Sequence, residues 1–432
     1  MFQTLRNAWK IPDLRKKILY TILMLVIFRL GSFIPVPGIS PDMIRQMMGG
    51  FDGGIQGLIN NFSGGALERA SIFSMSITPY INASIILQLL TVAIPALERL
   101  SKEGEEGRKK IASYTRYLTV VLAFVQATGL YFGLSGLMTG DKGILSYLVV
   151  TCTFTAGTAF LMWLGEQITD RGIGNGISLL IVIGIVSRAP LAVQTMIGML
   201  QQSGNTPSIQ AIATVIGIVV IAVVVIAFVV LFNQAERKIP VQYAKRVVGR
   251  KTYGGQSTHI PMKVIMAGVM PIIFAVSIMS FPRTISMFVN GSQTPTGFWG
   301  GLLNWFTETH PFYMICYFLL ILFFTYFYTA IQFNPIEVAN NMKRNGGFIP
   351  GIRPGKPTSD YVAKVLSKIT LLGAFFLAII AIFPLVLAIA MPQMAGISIG
   401  GTSLLIVVGV ALETVKNIES QMLMRHYKGF LE

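Results

Sequence analysis

Ten apolar stretches separated by polar connections divide this chain, and its basic residues crowd into every second connection. The stretches cover 18–35, 76–95, 114–136, 146–165, 176–198, 211–232, 264–288, 312–333, 366–390 and 402–422. At about 20 residues each, they are long enough as helices to cross ~30 Å of hydrocarbon. With residues at span edges assigned to the nearer connection, and Lys416 reckoned to the tail, 28 of the 34 Lys and Arg fall on the N-terminal side. Five (Arg45, Arg69, Lys142, Arg188 and Arg283) fall on the opposite side, and Arg29 lies within a span. Acidic residues divide 13 and 5, so the first side carries +15 and the second is neutral. The positive-inside rule then puts both termini in the cytoplasm. The fold class is an all-α polytopic membrane protein with ten transmembrane helices.

With 53% hydrophobic and 12% charged residues in 432, the chain has room for one membrane bundle and for no sizeable soluble domain. The net charge of +16 therefore belongs to cytoplasmic loops, not to a nucleic-acid-binding domain. Cys152 and Cys316 sit inside spans, and His259, His310 and His426 have no ligand spacing, so neither a metal nor a cofactor is expected. The first span is too long for a signal-peptide core and runs into Ile34-Pro35-Val36-Pro37-Gly38 without a small-residue cleavage site, so it is expected to stay as an anchor. Residues 1–17 alternate apolar and basic, as an amphipathic helix at the lipid headgroups does.

Residues 60–75 are too short and polar to span, and too apolar for an ordinary external loop. Two placements satisfy both facts. One is a short helix capped by Ser63 that dips into a protein-lined cavity, where irregular backbone is permitted at depth; the other is a helix lying on the membrane surface. Span 2 follows directly, with Ile77, Ile81 and Ile85 on one stripe and Thr78, Asn82, Gln88 and Thr91 placing hydrogen-bonding groups elsewhere. Polar groups at that depth face another helix or water. Span 7 echoes span 2 through Pro271 and Pro282, as matching elements of two inverted five-span halves do. Gly172-Ile173-Gly174-Asn175-Gly176 has the look of a phosphate-binding glycine loop, but no strand precedes it; it reads as a flexible break before span 5.

Two cytoplasmic connections are long and basic. The first, 233–263, carries Lys245, Arg246, Arg250 and Lys251, and its alternating run from Val241 to Val248 before Tyr253-Gly254-Gly255 predicts a protruding hairpin. The second, 334–365, predicts a short helix from Pro335 to Asn345, a Gly346-Gly347 stop, a turn through Pro350-Gly351-Ile352-Arg353-Pro354-Gly355-Lys356, and a further helix capped by Ser359. A stiffened turn with Arg353 at its tip suits docking; loop charge that only fixes topology is the plainer account of the lysines.

No nucleophile with its base, no carboxylate pair and no metal cluster converges, which excludes the common enzyme classes. The span centres are expected to be free of Asp and Glu, which also weakens an ion-coupled transporter, leaving a sodium-coupled carrier built on backbone carbonyls as the second reading. A passive pathway narrowed by branched aliphatic side chains fits best.

Four runs carry a resemblance over essentially the whole chain: Ser63-Gly64-Gly65-Ala66-Leu67 through Gln88-Leu89-Leu90, Asp170-Arg171-Gly172 through Ile177-Ser178, Asn345-Gly346-Gly347 through Pro354-Gly355, and Gly400-Gly401-Thr402 through Ile406-Val407. They resemble the SecY family, central subunits of the bacterial protein-conducting channel. The resemblance implies an hourglass of two inverted five-helix halves, 18–198 and 211–422, with cytoplasmic loops 233–263 and 334–365 and a tail at 423–432. It implies a constriction ring of Ile77, Ile81, Ile177, Ile181, Ile273 and Ile406, with Ile185 as the alternative register in span 5. It further implies a plug within 60–71 (Ser63, Gly64, Gly65, Ala66, Leu67, Glu68, Arg69) and a lateral gate between spans 2 and 7 at Asn82, Gln88 and Phe281. Implied partners are SecE, SecG, the SecA ATPase, the ribosome, secretory preproteins with signal peptides, and membrane lipids; docking falls on Lys245, Arg246, Arg250, Lys251, Arg353 and Lys356. The implied location is the bacterial cytoplasmic membrane.

Overall fold

The structure, a computed structural model, describes residues 2–40, 44, 63–134, 143–201, 209–243, 246–248, 251–253, 257–290, 298–307, 310–390 and 401–428. Ten helical elements match the ten expected spans: Pro12–Gly31, Thr78–Ala93, Glu105–Leu134, Ile144–Arg171, Gly176–Val186 continued by Ala189–Gln201, Ile209–Gln234, Met270–Asn290, Pro311–Gln332, Lys356–Ala390 and Gly401–Lys428. Among the described residues, five helices are long and apolar enough to cross a membrane by composition alone: Ile144–Arg171, Gly176–Gly198, Ile212–Gln234, Pro311–Arg344 and Lys356–Leu387. The others carry charge, proline or a break. Span 2 stops at Ile94, ahead of Pro95, and the chain turns by 102° into Pro95–Lys102, since the residue before proline is driven out of the helical region.

Span 10 corrects the charge assignment. The helix Gly401–Lys428 is continuous, so Glu413 and Lys416 lie inside the 402–422 stretch, with Glu413 near its middle. Lys416 approaches Lys263 in the connection before span 7; burial, and then Lys416, lower the pKa of the Lys263 ammonium, while Glu413 raises it.

The amphipathic N-terminus, helix Phe2–Lys10, packs on protein along one face. Ala8 and Leu14 are buried with Ile173 and Ile418, and Lys17 Nζ donates to Gln421 Oε1 at 3.2 Å. The glycine run before span 5 is tightly bound, not flexible. Gly176 N–H donates to Thr169 Oγ1 at 2.9 Å, Ile173 N–H donates to Thr21 Oγ1 at 3.1 Å, and Asn175 caps span 5 by accepting from Ile177 and Ser178 N–H. A Cβ at Gly176 would strike the Gly165 carbonyl oxygen, so spans 4 and 5 meet there backbone to backbone.

In the first long basic connection the hairpin forms with longer arms than expected. Strand β1 (Glu236–Tyr243) pairs antiparallel with β4 (Ser257–Lys263), and β2 (Arg246–Val248) with β3 (Lys251–Tyr253) farther out. The second loop adds strand β5 (Gly347–Phe348) to the free edge of β1. Ile239, Val241, Met262, Met342, Ile349, Val362 and Leu366 form one core beneath both loops. The short helix is Pro335–Arg344, capped by Asn334 and stopped at Gly346, φ 72°. Ser359 does not cap the following helix: that helix begins at Lys356, and the Ser359 hydroxyl donates to the Lys356 carbonyl within its first turn.

Candidate functional site: an aliphatic constriction beside a buried turn segment

Spans 2, 5, 7 and 10 converge on a small aliphatic cluster. Ile181, Ile273, Ile406 and Val410 are buried together, and Ile81, Ile177, Leu179, Val182, Ile185, Val269 and Met270 pack around them. Each contributing helix brings a branched residue to the same level, so the cluster closes by shape and apolarity alone. Five of the six expected ring residues meet here, and Ile185 stands at the margin. Ile77 goes elsewhere: it is the residue before span 2, buried with Phe28, Ala66, Phe73, Leu161 and Leu164. Ile81 and Ile177 touch both clusters. Val410 was missed, although it lies one helical turn beyond Ile406 on the same face.

The segment 63–77 packs into the adjoining core, which shares Ile81 and Ile177 with this cluster, and forms successive turns, not the expected Ser63-capped helix. Four residues take left-handed backbone, Gly64 (φ 66°), Gly65 (φ 79°), Ala70 (φ 48°) and Ser76 (φ 52°), which interrupts any helix. At Ala70 and Ser76 this conformation costs on the order of 1 kcal/mol each. Of the two placements that composition allowed, the buried one is found: Ser63, Gly64, Gly65, Ala66 and Leu67 are all buried. A bridge between Pro35 and Ser71 ties the segment to the end of span 1, through Val36 N–H to the Ala70 carbonyl at 2.8 Å and Ile72 N–H to the Ile34 carbonyl at 3.0 Å. Phe73 stacks between Phe28 and Phe160, at 6.0 and 5.9 Å. Gly31 and Gly157 make room for it; a Cβ at Gly157 would meet the Ile72 carbonyl.

Polar contacts complete the attachment. Arg29 Nη1 donates to the Gly64 carbonyl at 3.0 Å. Arg188 Nη2 of span 5 binds Glu68 Oε1 at 2.8 Å, with side chains 11% and 28% exposed. The Ser187 hydroxyl donates to the Gly184 carbonyl at 2.7 Å and reaches Gly64 O at 3.5 Å. Glu68 and Arg188 stand 120 residues apart, and no local pattern pairs them.

The expected gate residues fall on two neighbouring helices. Asn82 is buried on span 2 with its Oδ1 unpartnered, Gln88 is half-buried, and Phe281 on span 7 is 40% exposed. Span 7 packs against spans 2 and 3. Ile85 of span 2 shares a core with Ile272, Phe274, Val276 and Met279 of span 7.

Arg353 and Lys356 are exposed in the second loop. The turn is fixed from within: Thr358 Oγ1 donates to the Arg353 carbonyl at 2.8 Å, Gly351 and Gly355 take φ 83° and 110°, and Ile349 and Ile352 pack into the core under the sheet. Arg246 and Lys251 lie in the outer hairpin; Lys245 and Arg250 fall outside the described residues.

Residues 71–415 match the family model of SecY. The protein translocase subunits SecY of Halalkalibacterium halodurans and Bacillus subtilis are each 46% identical to this chain, and that of Streptomyces griseus 48%, each over 100% of both chains. Among solved structures, one titled a protein-conducting channel superposes with a TM-score of 0.63 at 19% identity, covering 94% of this chain and 92% of the other. Sec61 of the canine ribosome-channel complex superposes at 0.60 and 17% identity, with the same coverage. These structures share the ten-helix channel fold. The chain is a multi-pass membrane protein and belongs to the SecY family.

Proposed function

We propose that this chain is the channel-forming subunit of a protein translocase. It conducts unfolded secretory polypeptides across a bacterial cytoplasmic membrane, with both termini in the cytoplasm, and releases transmembrane segments into lipid between spans 2 and 7. The observation that carries this is the aliphatic cluster of Ile181, Ile273, Ile406 and Val410, flanked by Ile81 and Ile177, where four helices bring apolar and mostly branched side chains together. Such a constriction excludes water when closed and offers a passing chain no charge and no fixed hydrogen bond. The segment 63–77 takes the plug role, and a solved SecY relative is described as having a plug domain that stabilises the closed state and maintains a membrane seal.

No power stroke resides in this arrangement, so energy comes from a partner. The hairpin 236–263 and the Arg353 turn, joined through β1 and β5, form one basic platform for it. SecA and the ribosome are the partners proposed there, with SecE and SecG as membrane companions. Purified chain reconstituted with those companions, SecA, ATP and a signal-bearing preprotein is expected to move the preprotein into a protease-protected space. Absence of protected preprotein, together with sodium-driven solute uptake, would return the reading to a carrier.

A further inference from the structure

At the outer end of span 1, two arginines share one aromatic ring. The Arg29 guanidinium lies 4.9 Å from the centroid of Phe33, and that of Arg69, on the 63–77 segment, lies 4.4 Å from the same centroid. Arg29 donates to the Gly64 carbonyl, but Arg69 Nη1 is buried and donates to nothing. The adjacent carboxylate, Glu68, is engaged by Arg188. Among the described residues no carboxylate pairs with Arg29 or Arg69. Two cations held on one ring repel each other, and an unsatisfied guanidinium N–H away from water is costly. The face of Phe33 offsets only part of that. Both side chains remain partly accessible, and beside them Leu30, Phe33 and Ile34 are 63%, 54% and 53% exposed. The charge distribution puts this end of span 1 on the side away from the basic loops, where few other cations compete for anions.

We propose that Arg29 and Arg69 together bind a phosphate group, supplied by a phospholipid of the outer leaflet whose acyl chains lie on Leu30, Phe33 and Ile34. A phosphate presents several charged oxygens to two planar guanidinia, which grip it through paired hydrogen bonds. Because Arg69 belongs to the turn segment and Arg29 to span 1, the bound phosphate ties one to the other. The inference takes its leaflet from the proposed orientation of span 1 and otherwise stands on this cluster, whether or not the chain conducts polypeptides.

The test is native mass spectrometry of the detergent-purified full chain, titrated in parallel with phosphatidylglycerol and with inorganic phosphate. Folding of each variant is checked by size-exclusion chromatography. Wild-type protein is expected to retain phosphatidylglycerol, and millimolar inorganic phosphate is expected not to displace it. Arg69→Gln is expected to weaken retention about tenfold, and Arg69→Lys, which keeps the charge but not the fork, about threefold. Lys102→Gln, which removes an exposed cation outside the pair and away from the segment, is expected to leave retention unchanged. Binding of inorganic phosphate by wild type but not by Arg69→Gln, with the lipid displaced, would keep the phosphate site and overturn the lipid as its source. Retention equal to wild type in both Arg69 variants, or equally reduced in Lys102→Gln, would overturn the site.

Discussion

The constriction at Ile273 and the neighbouring segment 63–77 are built from opposite materials. Around Ile273 the packed cluster is apolar, branched aliphatic side chains with Met270, so its stability comes from apolar burial at about 1.5–3 kcal/mol per side chain, which is non-directional and insensitive to salt. The segment is held at a few addressable points: a two-bond backbone bridge at Ser71, the Arg29 bond to Gly64, the Glu68–Arg188 pair and the stacked Phe73. Each polar contact contributes about 0.5–1.5 kcal/mol, and left-handed backbone at Ala70 and Ser76 works against them. On the proposed function, the ring would reseal around whatever passes, whereas the segment would leave by breaking discrete latches. The difference would assign elastic sealing to one region and switch-like release to the other.

The largest expected effect lies outside both regions and serves as their control. Arg353→Glu is expected to cost roughly 2–5 kcal/mol of partner binding, if the charge is buried and paired in the complex. SecA-driven export should fall accordingly, while ion leak through the resting channel stays at the wild-type level. Export near normal would reduce Arg353 to a topology charge.

Within the comparison, Ile273→Asn is expected to act most strongly. It buries an amide among aliphatic side chains, at about 1–3 kcal/mol against the closed state. Resting conductance in planar bilayers should rise about tenfold and respond little to ionic strength, as should export of preproteins with defective signal sequences. Unchanged leak would remove Ile273 from the seal. Gly157→Ala follows, because its Cβ has no room beside the Ile72 carbonyl. A cost of about 1–3 kcal/mol should fall on the segment's seated position, visible as faster proteolysis within 63–77 while the bundle stays folded. Protection equal to wild type would mean that the segment does not depend on this notch.

Glu68→Gln is expected to do least. The pair is partly exposed, so screening reduces its loss to about 0.5–1 kcal/mol. Its signature is qualitative: wild-type leak should rise with salt, and that salt response should flatten in the variant. An identical salt response in both proteins would dissolve the distinction between latch and ring.

The sequence revealed most of what periodicity and local punctuation encode. The spans, the short helix from Pro335 with its Gly346 stop, and the hairpin all announce themselves within a few residues of chain, and the aliphatic ring was reachable because the family motifs carry it. Contacts between distant residues were not legible. Nothing local pairs Glu68 with Arg188 or joins β5 to β1, and the turn structure of 63–77 reflects tertiary packing of Phe73 into glycine notches, which overrides a helix-compatible composition. Ile77, assigned to the ring by the resemblance, sits just before the helix that starts at Thr78 and packs into the neighbouring core. The charge of span 10 was misjudged by placing Lys416 in the tail and overlooking Glu413, inside a helix that continues through both.

Photocrosslinking to a secretory polypeptide stalled in transit tests the central claim most directly, with probes placed one at a time at Ile81, Ile273, Ile77 and Val224. Val224 is 59% exposed on span 6 and serves as the outward-facing reference. The account predicts strong crosslinks from Ile81 and Ile273, weaker ones from Ile77 in its separate core, and none from Val224. Crosslinks absent from Ile81 and Ile273, or no stronger there than from Val224, would contradict passage through the aliphatic constriction.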